Sequence, residues 1–328
     1  MHILVIGGAG MVGRKFIERL ARDGGLGGKA IDKVTAQDVF PASAPANAPF
    51  AFESLTSDLS QPGEAEKLIA SRPELIVHLA ASVSGEAEAD FDKGYRINLD
   101  GTRYLFDAIR LVGDGYKPRV IFTSSIAVFG APFHDKIEDE FFTTPLTSYG
   151  TQKAIGELLL SDYSRRGFFD GVGIRLPTIC VRPGAPNKAA SGFFSNIIRE
   201  PLAGEEAVLP VSEGVRHWHA SPKSAVGFLI HAGTMDLNAM GPRRNLSIPG
   251  MSVSVGEQIA ALERVAGKNV TARIKRVPDP TIISIVSGWP RDFATERALK
   301  LGFTTAEKTF DDIIRIHIED ELGGKFAA

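Results

Sequence analysis

The chain has 328 residues, and its 37 basic and 39 acidic side chains give a formal net charge of −2. That balance excludes a surface built to condense on a polyanion, so no nucleic-acid partner is expected. Hydrophobic residues make up 44% and charged residues 23%, which excludes general disorder. The length suits one large α/β domain or up to two domains. The single cysteine, Cys180, excludes an internal disulfide and a cysteine-rich metal site, and it fits a reducing compartment. No apolar run approaches the ~20 residues of a membrane span. The first residues, MHILVIGGAGMVGRK, lack the charged-then-apolar order of a secretory signal, so a cytoplasmic protein without a membrane partner is expected.

In chain order, His2 to Ile6 reads as a buried strand that stops at Gly7-Gly8. Met11 to Arg22 reads as a helix, with Val12, Phe16, Ile17 and Leu20 on one face. GGLGGK (24–29) reads as a loop, Lys33 to Phe40 as a second strand, PASAPANAP (41–49) as a low-complexity loop and Phe50 to Glu53 as a third strand. Pro62 to Ser71 is predicted helical, with Ser60 as N-cap and Pro62 in the first turn. Leu75 to Ala80 is a continuous apolar strand, followed by one long helix over 90–112. Arg119 to Ser124, Tyr149 to Arg165 and Gly171 to Leu176 then read as strand, helix and strand. Continuous apolar strands alternating with helices predict a doubly wound parallel sheet covered on both faces.

After about residue 178 the rhythm breaks, and prolines 183, 186, 201, 210 and 222 punctuate shorter elements. Helices are expected near 191–203, 222–236, 254–266, 292–300 and 308–321. The expected division is a dinucleotide-binding domain over 1–178 and a mainly substrate-binding lobe over 179–328, with some segments returning to the first domain. No internal repeat is visible.

Gly7, Gly10 and Gly13 lie three apart at the first strand–helix junction, flanking Met11 and Val12. The first allows a tight turn, the second lets backbone approach a pyrophosphate, and the third permits close helix–sheet packing. The helix N-terminus offers free N–H groups to phosphate. Asp38 ends the second strand, 25 residues after Gly13, where a carboxylate accepts hydrogen bonds from ribose hydroxyls and repels a 2′-phosphate. NAD is therefore expected over NADP; Arg14 and Lys15 argue the other way only if they are more than solvated helix charges. Asp58 stands either where adenine is met or as a plain loop carboxylate.

Tyr149 and Lys153 share a helix face, four residues apart, 24 residues after Ser125. An ammonium beside a phenol is expected to lower the phenol's pKa and make Tyr149 a proton acceptor near neutral pH. Ser124 and Ser125 close a strand at the carboxyl edge of the sheet, where a hydroxyl can hold a substrate oxygen.

With GGAGMVG (7–13), Asp38, HLAA (78–81), NLDGT (98–102), SSIAVFG (124–130) and YGTQK (149–153), the chain resembles the extended short-chain dehydrogenase/reductases, which include the nucleoside-diphosphate-sugar epimerases. The resemblance implies a Rossmann fold, with Ser125 as catalytic serine because it lies four residues before Phe129-Gly130. It makes Tyr149 the acid/base, while Lys153 holds the nicotinamide ribose and tunes Tyr149. Leu79, Ala80, Ala81, Pro177 and Thr178 would border the cofactor, and Asn98 would support a helix backbone or a water relay unless it is simply structural. Ile6 and Phe129 depart from the usual threonine and tyrosine. Ile126-Ala127 replaces the Asp-Glu pair of the dehydratases, which argues against elimination.

Farther on, Thr147 to Leu159, RLPTICVRPGAPNKAAS (175–191) and IIREPLAGEEAVLPV (197–211) resemble the dehydrogenases of D-erythronate, which oxidise the 2-hydroxyl of a four-carbon sugar acid with NAD. That resemblance implies a small anionic substrate, with Ser82, Ser84, Asn187, Lys188 and Ser191 as candidate contacts. Arg216 would face the carboxylate, an outer hydroxyl or, in an epimerase, a diphosphate. Two alternatives stay open: a nucleoside-diphosphate-sugar 4-epimerase holding NAD tightly, and a non-catalytic dinucleotide-sensing regulator. His217 and His219 have no third ligand at metal spacing, so no metal is expected. His78 is expected to support its loop, and Cys180, Trp218 and Trp289 to pack. The helices at 90–112 and 149–165 resemble those that form a homodimer interface in the family.

Overall fold

The computed structural model describes residues 1–184 and 190–327. Seven strands form one parallel sheet: β1 (His2–Ile6), β2 (Lys33–Asp38), β3 (Ala51–Thr56), β4 (Leu75–His78), β5 (Arg119–Ser125), β6 (Asp170–Leu176) and β7 (Asn245–Ser247). Their order is β7-β6-β5-β4-β1-β2-β3. Strand order reverses on either side of β1, so a crevice opens where β1 and β4 end, the place where doubly wound sheets take ligands.

The apolar runs build this sheet because its inner strands are buried on both faces, while the edge strand β3 is half-buried to exposed. In β1, Ile3 and Val5 join a core with α1 (Met11–Asp23), while Leu4 and Ile6 join the opposite core with α2 (Gly101–Val112) and α3 (Ser148–Arg165). Farther along, α4 (Gly192–Ala203) contributes Phe193, Phe194, Ile197 and Ile198 to a separate apolar core with Leu262, Ile313 and Ile314. In contrast α5 (Pro222–Thr234) packs Ala225, Phe228 and Leu229 back on the first core. Thr178–Ile179 pairs in parallel with Arg216–Ala220, which pairs antiparallel with Met251–Ser254. This small sheet joins the end of β6 to the later half of the chain. No helix among the described residues is long and apolar enough to cross a membrane.

Several boundaries differ from the sequence pattern. The helix expected over 62–71 covers only Glu64–Ile69 with Gly63, at φ 86°, as N-cap. Ser60 does not cap it; its N–H and hydroxyl turn back to Asp58 Oδ1 at 2.9 and 2.6 Å. GGLGGK holds a two-residue-per-strand hairpin, Gly25–Leu26 with Lys29–Ala30. The long helix expected over 90–112 is interrupted by a π-helical turn at Arg96–Asp100. Hydrophobic spacing does not register one extra residue in a turn, yet that turn carries Asn98. Short strands at 207–209, 245–247 and 274–276 and the helix Pro280–Ser287 also escaped the pattern, each too brief to show a period.

Candidate active site

A cavity of about 680 Å³ runs from the glycine turn to the Tyr149 helix and on to segments after residue 176. Gly7, Gly10, Met11, Val12 and Gly13 line one end, and Leu79, Ala81, Ser84, Ser125, Tyr149, Lys153, Pro177, Thr178 and Ser191 line the rest.

The glycine turn fits a dinucleotide by exclusion. A Cβ on Gly7, whose φ is 85°, would lie 2.6 Å from Ala80 N, and one on Gly13 would lie 2.3 Å from Gly7 O. Packing therefore requires these two glycines. A Cβ on Gly10 would meet only Gly7 O, at 3.3 Å. Its missing side chain instead leaves the cavity side of the turn open. The α1 N-terminus has neither a side-chain cap nor an acidic residue in its first turn, so its N–H groups remain available to an anion. Asp38 does not line the cavity; its Oδ2 accepts from Ala9 N at 3.0 Å, which fixes the carboxylate beside the turn. The residues present thus fit NAD: open N–H groups, a cleared approach and a carboxylate at the β2 end.

Asp58, like Asp38, does not line the cavity. Burial opposes its charge, but Ser60, Gln61 and Arg96 donate to it and bring its pKa down to about 2. Ala80, Ser82 and Asn98 stand just behind the cavity wall. Asn98 Oδ1 accepts from Ser82 N at 2.8 Å, and Asn98 Nδ2 donates to Ser82 O at 3.0 Å and Gln152 Oε1 at 2.7 Å. The π-helical turn so places a side-chain amide as a substitute strand, clamping the loop after β4 to α3. Thr102 donates to Asn98 O, so His78 Nε2–H donates to Thr102, and burial holds His78 neutral at a pKa near 3.

At the Tyr149 end of the cavity, Ser125 Oγ accepts from Ala127 N at 3.1 Å, which leaves its own proton free to donate. Lys153 Nζ donates to Thr123 O at 2.8 Å and lies 5.8 Å from the Tyr149 ring centre. The expected lowering of the Tyr149 pKa by Lys153 is corrected here. Burial raises the phenol, and the groups that oppose this are the Ser125 hydroxyl and the Arg182 guanidinium, not Lys153. Lys153 is itself brought to about 8 by burial, with Glu157 acting against that. Glu157, one turn on, is buried between Arg175, which binds it through two nitrogens at 2.9 and 2.7 Å, and Ser124, which donates at 2.6 Å. Ser124 is thereby committed to Glu157, leaving Ser125 as the serine with a free proton.

Beyond Tyr149, Arg182, Arg199, His217, Trp289 and Glu88 also line the cavity, none of them singled out as cavity groups by the sequence pattern. Of the two arginines only Arg182 offered a signal, the motif VRPG after β6. Arg199 is paired with Glu200. Arg182 is part-buried and donates to Ile179 O and Ser191 Oγ, each at 3.1 Å; among the described residues it has no carboxylate partner. Arg216 lies outside the cavity wall, donating to Ser252 O at 2.7 Å and Glu257 Oε2 at 2.8 Å. Asn187 and Lys188 lie outside the described residues.

Comparison with known proteins agrees with this reading of the turn and sheet. The chain is 44% identical to a D-erythronate dehydrogenase of Cupriavidus necator, over 98% of each chain. It is 40% identical to a D-erythronate dehydrogenase of Haemophilus influenzae, over 98% of this chain and all of that one. A crystal structure described as the nucleoside-diphosphate-sugar epimerase from Agrobacterium tumefaciens matches 99% of this chain and 95% of that one, with 67% identity and a TM-score of 0.96. Residues 3–220 match the model of the NAD dependent epimerase/dehydratase family, and the chain belongs to that family.

Proposed function

We propose that the chain is a cytoplasmic NAD-dependent dehydrogenase that oxidises the 2-hydroxyl of a short sugar acid, D-erythronate to 2-dehydro-D-erythronate, at a Ser125–Tyr149–Lys153 site. The observation that carries the acid is Arg182. Arg182 is a part-buried cation without a carboxylate partner among the described residues, which is costly, and a substrate carboxylate entering the cavity would supply that partner. A guanidinium suits two-point recognition of such a group. Two full-length relatives named for D-erythronate support the same reading. Arg216, the arginine expected on a diphosphate in the epimerase alternative, is already engaged by Glu257 and Ser252.

The glycine turn and Lys153 would hold NAD, which would supply the acceptor for the hydride leaving C2. Tyr149 as phenolate takes the hydroxyl proton. Ser125, whose oxygen is held by Ala127 N–H, donates to the oxygen that becomes a carbonyl. Lys153 keeps one ammonium proton on Thr123 O, leaving the others for a ribose hydroxyl. Because burial raises Tyr149, oxidation should quicken as pH rises above neutrality. The proposed assembly is a homodimer through α2 and α3, whose Leu111 and Leu158 are 65% and 69% exposed.

The test is NADH formation with D-erythronate, L-threonate and D-threonate, beside UDP-glucose and UDP-galactose. Steady NADH production from D-erythronate is expected. Interconversion of the two sugar nucleotides without net NADH overturns the proposal. Arg182→Met should raise KM for the acid roughly 10- to 100-fold, the worth of one charged hydrogen-bonded contact, and leave the NAD dissociation constant unchanged.

A further inference from the structure

His217 stands on the strand Arg216–Ala220, whose register brings His219 against Thr178 and Ala220 against Ile179. The ring is 3% exposed, yet it forms part of the cavity wall. Phe194 stacks on it at 5.3 Å with planes 3° apart, and Trp289 closes at 5.1 Å. Its Nδ1 lies 2.9 Å from Pro290 O. A carbonyl oxygen only accepts, so Nδ1 carries the proton. Burial lowers the pKa to about 4, with the Pro290 bond acting against it, so the ring holds this single proton at neutral pH. Nε2 is then a lone pair, and Thr178 Oγ1, 2.8 Å away, must donate to it. The one hydroxyl proton of Thr178 is spent on His217. What Thr178 has left for the cavity it lines is oxygen lone pairs.

We propose that His217 is a positioning residue that holds Thr178 as an acceptor-only hydroxyl facing the bound ligands. The group that matches it is a neutral N–H or O–H donor; a carbonyl or carboxylate oxygen at that spot would meet lone pairs. Two groups of this chemistry would be brought by the proposed ligands to the cavity that Pro177 and Thr178 line: the carboxamide of the nicotinamide and an outer hydroxyl of a polyhydroxy acid. The inference deepens the dehydrogenase reading, and its first arm needs no turnover, so the two fail separately.

The first arm measures, by calorimetry, binding of NAD and of 3-acetylpyridine adenine dinucleotide, in which a methyl replaces the amide nitrogen. The second measures kcat/KM for D-erythronate and its 4-deoxy analogue. If the carboxamide is the donor, the wild type favours NAD about five-fold, the worth of one neutral hydrogen bond. Thr178→Ser keeps that preference, Thr178→Val brings it near one, and His217→Phe, which retains the ring stack but frees the hydroxyl to donate, abolishes or inverts it. If the substrate hydroxyl is the donor, the same pattern appears in the second arm and the cofactor preference does not move. Both preferences unchanged in folded Thr178→Val and His217→Phe overturn the proposal. Should His217→Phe fail to fold, long-range 1H–15N spectra of the wild type decide the histidine's part: the Nδ1–H tautomer is expected, and an Nε2–H ring or an imidazolium at neutral pH overturns it.

Discussion

Gly10 and Gly13 should separate cofactor binding from folding. In Gly13→Ala the new Cβ falls 2.3 Å from Gly7 O and 2.8 Å from Gly8 Cα, both backbone atoms of the same turn. Restoring ordinary contact means moving α1 off the sheet by about 1 Å, an overpacking cost of roughly 1–3 kcal/mol or more. In Gly10→Ala the Cβ meets only Gly7 O at 3.3 Å, and φ at this position is −68°, which alanine adopts freely. The expected cost is that of a poorer helix N-cap, about 1 kcal/mol, or roughly 1–2 °C in Tm for a chain of this size. The methyl, however, stands where the backbone must approach a pyrophosphate, so the NAD dissociation constant should rise about 10- to 100-fold, equivalent to about 1.4–2.8 kcal/mol. Thermal melts of the free protein and calorimetric titration with NAD measure the two effects separately. Gly10→Ala binding NAD within about two-fold of wild type, or losing as much stability as Gly13→Ala, would refute the assignment of Gly10 to ligand approach.

Behind Ser125, Tyr149 and Lys153 lies a buried layer whose bonds can be broken one at a time. Glu157→Gln leaves Arg175 buried without a carboxylate and should cost about 3–5 kcal/mol in urea denaturation; a loss under about 1 kcal/mol counts against the buried ion pair. Asn98→Ala removes the partners of Ser82 N–H and Ser82 C=O, so amide exchange should quicken in the loop after β4, while unchanged exchange there excludes the clamp. Lys153 has a folded-state pKa of about 8 against an ordinary 10.5, so its burial penalty is full below about pH 8 and fades as pH rises to about 10.5. Wild-type stability should therefore gain up to about 3 kcal/mol across that window relative to Lys153→Met, and parallel pH profiles for the two proteins would contradict a buried, charged lysine.

The dinucleotide end was legible in the sequence because its information is local. A strand, three glycines and a helix occupy residues 2–23, and an apolar run with a continuous period can form little else. Tyr149 and Lys153 were legible for the same reason, being one helical turn apart. The opposite end of the cavity is assembled from the loop after β4, the stretch after β6, Arg216–Ala220 and the segment Ser284–Pro290, which meet only through long-range pairing. Nothing in VRHWHAS announces that His217 faces Thr178 while Arg216, one residue earlier, turns to Glu257; that is the two-residue alternation of a strand whose pairing the sequence does not reveal. The Tyr149 pKa was misjudged for a related reason. Spacing gave the distance to Lys153 along the helix, but the direction of the shift depends on burial, which only the closed cavity sets.

That closed cavity couples its charged groups in a way that pH profiles can read. Burial pushes Tyr149, Lys153 and Arg182 alike toward their neutral forms. Tyr149 is partly relieved by the positive field of Arg182, which favours the phenolate. A substrate carboxylate that pairs with Arg182 cancels that field. The phenolate then becomes harder to form but more basic once formed. In the oxidation direction, the rising limb of kcat, which reports the substrate-bound enzyme, should therefore lie at higher pH than that of kcat/KM, which reports the enzyme before the acid binds. In Arg182→Met the field is absent before the acid binds, so the kcat/KM limb should move to higher pH than in the wild type. If that limb stays where the wild type has it, the coupling through Arg182 is wrong, whatever the fate of the overall rate.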